Sequence, residues 1–184
     1  MYLFDCFGVV VSDVSVLWAK DRFDGSELDY MRNFIYYEVD RGRISQQQVF
    51  EQLAARYGMS VQDVKDQWDK CLFVKWDTVE LIQKIRRSGG TVALLSNAAV
   101  EYIDYIFDKY DLNKYFDKIF VSARYGVAKP EQQFYKLCLD SFHQHFDNVY
   151  FTDDNPANLV DLQQLGITAI QFTSASELEN KLKL

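Results

Sequence analysis

Short apolar runs alternate with amphipathic segments over most of the chain. Five runs carry few polar positions, as expected of parallel strands that are covered on both faces: Tyr2–Phe4, 91–95, Lys118–Val121, 149–152 and 167–172. Apolar residues at helical spacing fill the intervals, in 77–88, Val100–Tyr110, 130–142 and 156–165. The alternation predicts an α/β fold with a doubly wound parallel sheet, whose sites lie at the carboxyl ends of its strands.

Two prolines and several glycines delimit the predicted helices. Proline is favoured in the first turn of a helix, so Pro130 and Pro156 are expected to begin the segments that follow them. Gly89-Gly90 and Gly166 are expected to end helices, because glycine adopts the left-handed conformation of a helix end.

One region breaks the alternation. Between about residues 14 and 74 no strand pattern is present, and helical stretches are predicted at 15–23, 26–40, 45–57 and 60–72. Ser45 and Ser60 stand where helix N-caps are expected, and Arg41-Gly42-Arg43 is expected to end a helix, its charges solvated or reaching an anionic substrate. We therefore predict a Rossmann-like core of residues 1–13 and 75–184, with a helical cap of residues 14–74 inserted after the first strand. Its aromatic residues are expected mainly to pack, although some could line a substrate pocket: Trp18, Phe23, Phe34, Tyr36 and Tyr37.

Composition excludes several classes of protein. With 27 acidic and 20 basic residues, the formal net charge of -7 gives no electrostatic reason to bind nucleic acid or an anionic membrane surface. No stretch approaches the roughly 20 apolar residues of a membrane span, and the first residues do not resemble a signal peptide. Cys6, Cys71 and Cys138 are odd in number and far apart, so free thiols and a cytoplasmic location are expected, with Cys6 packed against the sheet.

Polar residues follow the predicted strands. Asp5, Ser96-Asn97 and Asp153-Asp154 come directly after three of them, and Lys129 lies in a loop before Pro130. In a parallel sheet these groups meet at one edge, where carboxylates from separate strands require a cation between them. A hydroxyl group and a lysine nearby suit a phosphoryl oxygen. The residues thus predict Mg²⁺ and a bound anion.

Four motifs in order resemble the haloacid dehalogenase superfamily, in its helical-cap branch. They are Leu3-Phe4-Asp5-Cys6-Phe7-Gly8-Val9, Leu94-Leu95-Ser96-Asn97, Gly126-Val127-Ala128-Lys129-Pro130 and Phe151-Thr152-Asp153-Asp154-Asn155-Pro156-Ala157-Asn158. Each motif alone is weak, but all four at family-like spacing cover the whole chain. The resemblance implies an aspartate-nucleophile hydrolase that acts on a small phosphorylated metabolite, and the acid pair before Asn155 is similar to that of glucose-1-phosphate phosphatases.

The resemblance also implies a role for each matching residue. Asp5 would attack phosphorus and become an aspartyl phosphate. Mg²⁺ would be held by Asp5, Asp154, Asp153 directly or through water, and the backbone carbonyl of Phe7. The phosphoryl oxygens would be held by Ser96, the backbone N–H of Asn97 and Lys129, which also neutralises charge on Asp5. Asn158 would orient the loop of the fourth motif.

One position departs from the phosphatase pattern. The family's phosphatases carry a second Asp two residues after the nucleophile, which protonates the leaving oxygen and later activates water. Here that position is Phe7, whose phenyl ring can do neither.

Three functions therefore compete. The first is a Mg²⁺-dependent phosphatase with weakened or rerouted acid–base catalysis, which the paired acids favour. The second is a metal-independent 2-haloacid dehalogenase, because those enzymes carry a bulky aromatic residue at the position of Phe7. The third is a catalytically silent relative that binds a phosphorylated ligand or a protein. The oligomeric state is left open by the sequence.

Overall fold

A parallel sheet forms the centre of the molecule. The structure, a computed structural model, describes residues 1–20 and 25–184. Within those residues the sheet has five strands in the order β3-β2-β1-β4-β5: β1 Tyr2–Phe4, β2 Val92–Ser96, β3 Lys118–Val121, β4 Val149–Asp153 and β5 Ile167–Gln171. Every neighbouring pair is parallel. The predicted α/β fold with a doubly wound parallel sheet is confirmed.

Helices cover both faces of this sheet and fill the segment between β1 and β2. That segment contains α1 Val14–Lys20, α2 Gly25–Tyr30, α3 Tyr37–Val39, α4 Gln46–Tyr57 and α5 Val61–Lys70, with a π-helical stretch Met31–Tyr36 joining α2 to α3. The helices that follow are α6 Trp76–Arg87, α7 Val100–Tyr110, α8 Gln132–Asp140 and α9 Ala175–Leu182. Short 3₁₀ turns occupy Asn113–Tyr115, Ser122–Arg124, Pro156–Leu159 and Leu162–Leu165.

Two of the predicted helices differ from those in the structure. Pro130 does not begin a helix: it follows a cis peptide bond, the Glu131 N–H donates to the Ala128 carbonyl, and α8 begins only at Gln132. The predicted helix 156–165 is two 3₁₀ turns, separated by extended Val160 and by Asp161 in the left-handed conformation (φ 59°). These two non-helical residues end the first turn, and the Asn158 carbonyl within it accepts from the Tyr135 hydroxyl of α8 at 2.6 Å.

The predicted N-caps of the inserted helices are confirmed. The Ser45 hydroxyl accepts from the Gln48 N–H, and the side-chain oxygen of Gln48 accepts from the Ser45 N–H. The Ser60 hydroxyl accepts from the Asp63 N–H. Inside the insert, Trp18 is fully buried and its ring centroid lies 5.5 Å from that of Trp68.

The other aromatic residues of the insert were predicted mainly to pack, and two of them are largely exposed. Phe34 and Tyr37 are 64% and 45% exposed, although Phe34 stacks on Tyr30 and the Arg41 guanidinium group lies over the Tyr37 ring. Phe23 lies outside the described residues.

The two segments that connect the insert to the sheet are hydrogen-bonded to each other. The Ser12 N–H donates to the Phe73 carbonyl at 2.9 Å, and the Lys75 N–H donates to the Val10 carbonyl at 2.9 Å. The Ser12 hydroxyl donates to the Cys71 carbonyl at 2.7 Å and accepts from the Phe73 N–H. The chain thus leaves and re-enters the core through adjacent, paired segments.

The apolar core lies on both faces of the sheet and continues into the insert. Cys6 packs against the sheet as predicted, with no exposed surface, and burial raises the pKa of its thiol well above the usual range. Among the described helices, none is both long and apolar enough to cross a bilayer.

Candidate active site

The register of the three central strands brings acidic and hydroxyl groups to one point. Phe4 of β1 is paired with Leu94 of β2 on one side and with Thr152 of β4 on the other. Asp5 follows Phe4, and its N–H donates to the Thr152 carbonyl at 2.9 Å. Ser96 and Asp153 are the last residues of β2 and β4, where the sequence placed them just beyond the strands.

The side chain of Lys129 lies between Asp5 and Asp153 at this edge of the sheet. Its ammonium group donates to the Asp5 carboxylate at 2.6 Å and to the Asp153 carboxylate at 2.7 Å, with only 1% of its side chain exposed. Burial lowers the pKa of Lys129, but Asp153 and Asp5 outweigh burial and raise it above its ordinary value. A buried ammonium group is retained because both carboxylates neutralise it.

The Asp153 carboxylate, which accepts from Lys129, is also held by Asn158. The Asn158 amide donates to both oxygens of the Asp153 carboxylate, at 3.1 and 3.0 Å, and the Asn155 N–H donates to one of them. The Asn158 carbonyl is held in turn by the Tyr135 hydroxyl. These contacts hold the Asp153 carboxylate in one orientation.

Asp5, Asp153 and Asp154 offer oxygen atoms that all lie within 4.8 Å of one another. Burial, followed by repulsion from Asp153, raises the pKa of Asp5 well above its usual range, although Lys129 opposes the rise. Burial and the charges of Asp153 and Asp13 raise the pKa of Asp154 to about 6. One ammonium group cannot balance three carboxylates, and oxygen-rich clusters of this kind suit a divalent cation such as Mg²⁺.

Ser96 and Asn97 have different surroundings. Ser96 is fully buried, and its hydroxyl has no hydrogen-bond partner among the described residues. A buried hydroxyl group without a partner is costly, and a phosphoryl oxygen would satisfy it. The Asn97 side chain is already occupied: its amide donates to the Lys129 carbonyl at 2.9 Å and its oxygen accepts from the Lys129 N–H at 2.8 Å. Asn97 therefore positions the loop of Lys129.

The ring of Phe7 faces the core helix α7. It stacks on Tyr102 with ring centroids 5.9 Å apart and planes 7° from parallel. The side chain at this position is used for packing.

Three residues of this region were not singled out from the sequence. Gly8, at φ 79°, lies against Asp154, and a Cβ atom there would meet an Asp154 oxygen at 2.3 Å. Asp13, which accepts from the Ser15 hydroxyl and the Val16 N–H, acts electrostatically on Asp154. Asp40, in the insert, precedes Arg41, whose guanidinium group donates to Glu131 in the loop of Lys129. Gly8 belongs to the first motif and could have been noted there, but no sequence pattern marks Asp13 or Asp40.

Comparison with known proteins supports one family. Residues 2–166 match the family of haloacid dehalogenase-like hydrolases. Among curated proteins, the chain is 27% identical over 154 residues to the drimenol cyclase drtB of Aspergillus calidoustus, covering 80% of this chain and 29% of the cyclase. It is 23% identical over 141 residues to the sesquiterpene phosphatase astK of Aspergillus oryzae, covering 75% of this chain and 72% of the phosphatase.

A solved structure has a similar fold. The wild-type HAD family enzyme bt-2542 of Bacteroides thetaiotaomicron, in complex with magnesium and inorganic phosphate, superposes with a TM-score of 0.73 at 21% identity. The alignment covers 94% of this chain and 93% of that one.

Proposed function

The chain belongs to the haloacid dehalogenase-like hydrolases, and we propose that it is a Mg²⁺-dependent phosphohydrolase of a small phosphorylated metabolite, such as a sugar phosphate. The observation that carries the proposal is the buried cluster of Asp5, Asp153 and Asp154 around Lys129, beside the unsatisfied hydroxyl of Ser96. An anion-binding hydroxyl group and a cation-binding carboxylate cluster in one place are what phosphoryl transfer requires.

Asp5 is the nucleophile in this proposal. Its oxygen attacks phosphorus, the bond to the leaving oxygen breaks, and an aspartyl phosphate forms that water later hydrolyses. Lys129, 2.6 Å from the Asp5 carboxylate, neutralises negative charge on Asp5 and on the phosphoryl group. Ser96 donates its hydroxyl to a phosphoryl oxygen, and the Asn97 N–H donates to another.

Mg²⁺ is the proposed cofactor. The carboxylates of Asp5, Asp154 and Asp153, the last directly or through water, would hold it together with the Phe7 carbonyl. When bound, it supplies positive charge to the transferring phosphoryl group. The magnesium and phosphate held by the bt-2542 structure are consistent with this choice.

Two observations favour a small phosphate ester as the substrate. The relation to a sesquiterpene phosphatase supports a phosphate ester, and the inserted helices favour a small molecule over a protein chain. We propose that residues 14–74 act as a cap over the core of residues 1–13 and 75–184.

A 2-haloacid dehalogenase remains the alternative that Phe7 suggests, because a halide leaves without a proton. Three converging carboxylates argue against it, since the reaction needs no metal and gains nothing from clustered negative charge. A catalytically silent protein would bind a phosphorylated ligand at the same cluster of residues without hydrolysing it.

A panel of phosphate esters tests the proposal. We expect phosphate release with Mg²⁺ that is lost with EDTA and lost in Asp5→Asn, which keeps the shape of the side chain but cannot attack phosphorus. No release above the Asp5→Asn background, together with halide release from 2-haloacids in EDTA, would establish the dehalogenase. Binding of phosphorylated metabolites in a thermal-shift assay without any turnover would establish the silent protein.

A further inference from the structure

The proposed reaction lacks a group that can donate a proton to the leaving oxygen. Phe7 holds the position where related phosphatases have that acid, and its ring is stacked on Tyr102. A carboxyl group able to do this work must lie near Lys129, hold no other partner and exchange a proton near neutral pH.

Asp40 is placed at the boundary between the insert and the core. It follows α3, and its N–H donates to the Tyr36 carbonyl at 2.9 Å. Two residues later, Gly42 (φ 67°) approaches the core so closely that a Cβ atom there would meet the Ala123 carbonyl oxygen at 2.5 Å. The turn that carries Asp40 is thus seated on the segment between β3 and the loop of Lys129.

Arg41 fixes this turn to the same loop. Its guanidinium group donates to the Glu131 carboxylate at 2.5 Å and lies 3.9 Å from the centroid of the Tyr37 ring. Only 15% of the Arg41 side chain is exposed, so it is not a solvated helix-end residue. Because Glu131 is two residues from Lys129, this ion pair joins the turn that carries Asp40 to the loop of Lys129.

The neighbouring acids are already engaged, but Asp40 is not. Asp13 caps α1 and Glu38 is paired with Arg43 at 2.8 Å. Glu131 is paired with Arg41. Within the described residues, no hydrogen bond or ion pair engages the Asp40 carboxylate, while the charges of Lys129 and Arg41 act on it from the loop and from its own turn. The third ionisable group that faces it is the buried Tyr36 hydroxyl.

Electrostatics agree with this placement. Burial raises the pKa of Asp40 to about 7, while Lys129 and Arg41 oppose the rise. Near neutral pH both the acid and its conjugate base are therefore populated, which is the condition for a group that gives a proton in one step and takes one in the next.

We infer that Asp40 is the general acid–base residue of the proposed phosphohydrolase, supplied by the insert in place of the acid missing at Phe7. In the first step Asp5 attacks phosphorus, the bond from phosphorus to the leaving oxygen breaks, and protonated Asp40 gives its proton to that oxygen. In the second step the Asp40 carboxylate takes a proton from water as the water oxygen attacks phosphorus. The bond to Asp5 breaks, phosphate leaves, and Asp40 is protonated again.

The inference rests on the proposed function, and the test separates the two by comparing leaving groups. Wild type, Asp40→Asn, Asp40→Glu and Glu38→Gln are assayed with 4-nitrophenyl phosphate and with the best alkyl phosphate of the panel. Nitrophenolate leaves without a proton, whereas an alkoxide needs one. We expect Asp40→Asn to lower kcat/KM for the alkyl phosphate by about 10²–10⁴-fold. With 4-nitrophenyl phosphate, the first turnover should remain fast while the following turnovers slow.

The pH dependence of kcat/KM distinguishes an acid–base role of Asp40 from a purely structural one, because a structural residue would not change it. Because the protonated acid is needed in the first step, wild-type kcat/KM for the alkyl phosphate should fall as pH rises through about 7. The kcat/KM for 4-nitrophenyl phosphate should not show this fall, which is the alkaline limb of the pH profile. Asp40→Glu should retain the limb, and Glu38→Gln, which removes an exposed carboxylate from the same segment, should match wild type.

Equal losses of kcat/KM on both esters, or an alkyl phosphatase activity that Asp40→Asn leaves intact, would overturn the inference but not the proposed function. If Asp40→Asn does not fold, the two wild-type pH profiles decide, and identical profiles overturn the inference. A wild type without turnover of either ester overturns both.

Discussion

The carboxyl edge of the sheet and the helical insert use charged residues in opposite ways. At the sheet edge, Lys129 is buried between Asp5 and Asp153, and each charge depends on its partners. In the insert, the ion pair between Arg56 and Glu27 joins side chains that are 38% and 28% exposed. Aromatic packing, such as that of Trp18 on Trp68, holds the insert together instead. Charge therefore determines geometry at the edge, and apolar packing determines it in the insert.

The largest expected effect follows from removing the buried cation. Lys129→Met leaves two buried carboxylates without their ammonium partner, and losing one member of a buried pair typically costs about 3–5 kcal/mol. Lys114→Met removes an ion pair to Asp111 between side chains that are 54% and 73% exposed, and should have little effect on stability because solvent screens both charges. Urea unfolding at pH 7 measures both, and equal costs would contradict the contrast between buried and exposed pairs.

A smaller effect is expected from crowding the acidic cluster. Gly8→Ala forces a Cβ atom against the Asp154 carboxylate at a positive φ, and should cost about 2–3 kcal/mol. It should also weaken Mg²⁺ binding by about 10–100-fold, because the displaced side chain belongs to the proposed metal site. Gly58→Ala is the matched control: it has a similar φ of 64° but no atom within 4 Å, so only about 1 kcal/mol of backbone strain is expected.

Urea unfolding and calorimetric Mg²⁺ titration distinguish the two glycine variants. If Gly8→Ala binds Mg²⁺ as tightly as Gly58→Ala does, Asp154 is not part of the metal site.

The smallest effect is expected in the insert. Ser60→Ala removes the hydroxyl that accepts from the Asp63 N–H at 3.0 Å, and loss of such a cap costs about 1 kcal/mol. Because this cap lies away from the acidic cluster, the affinity for Mg²⁺ should not change. A fall in Mg²⁺ affinity along with stability would mean that the two regions are not independent.

Strand ends made much of the site predictable from the sequence. Once Asp5, Ser96 and Asp153 are assigned to parallel strands, topology alone brings them to one edge. The interruption of 156–165 was not predictable, because it lies at Val160 and Asp161, where neither glycine nor proline marks a break in the sequence.

Asp40 escaped prediction for a related reason. In the sequence it is one more acid at a helix end, beside arginines that are typical of such ends. Its distinguishing features are contacts across the boundary with the core: the close approach of Gly42 to Ala123 and the pairing of Arg41 with Glu131. Such long-range contacts leave no periodic signal in the sequence.

The paired connecting segments have a consequence for engineering this protein. Ser12 and Phe73 are joined by a backbone hydrogen bond and by one from the Phe73 N–H to the Ser12 hydroxyl, so the whole insert departs and returns at adjacent positions. Where a chain leaves and rejoins a fold at neighbouring points, the intervening stretch can change length at little entropic cost, because loop closure depends only weakly on length. The junction is therefore a natural place to graft a different insert onto the same sheet. The strand ends would keep the proposed nucleophile and metal site, whereas the grafted insert would have to supply an acid in place of Asp40.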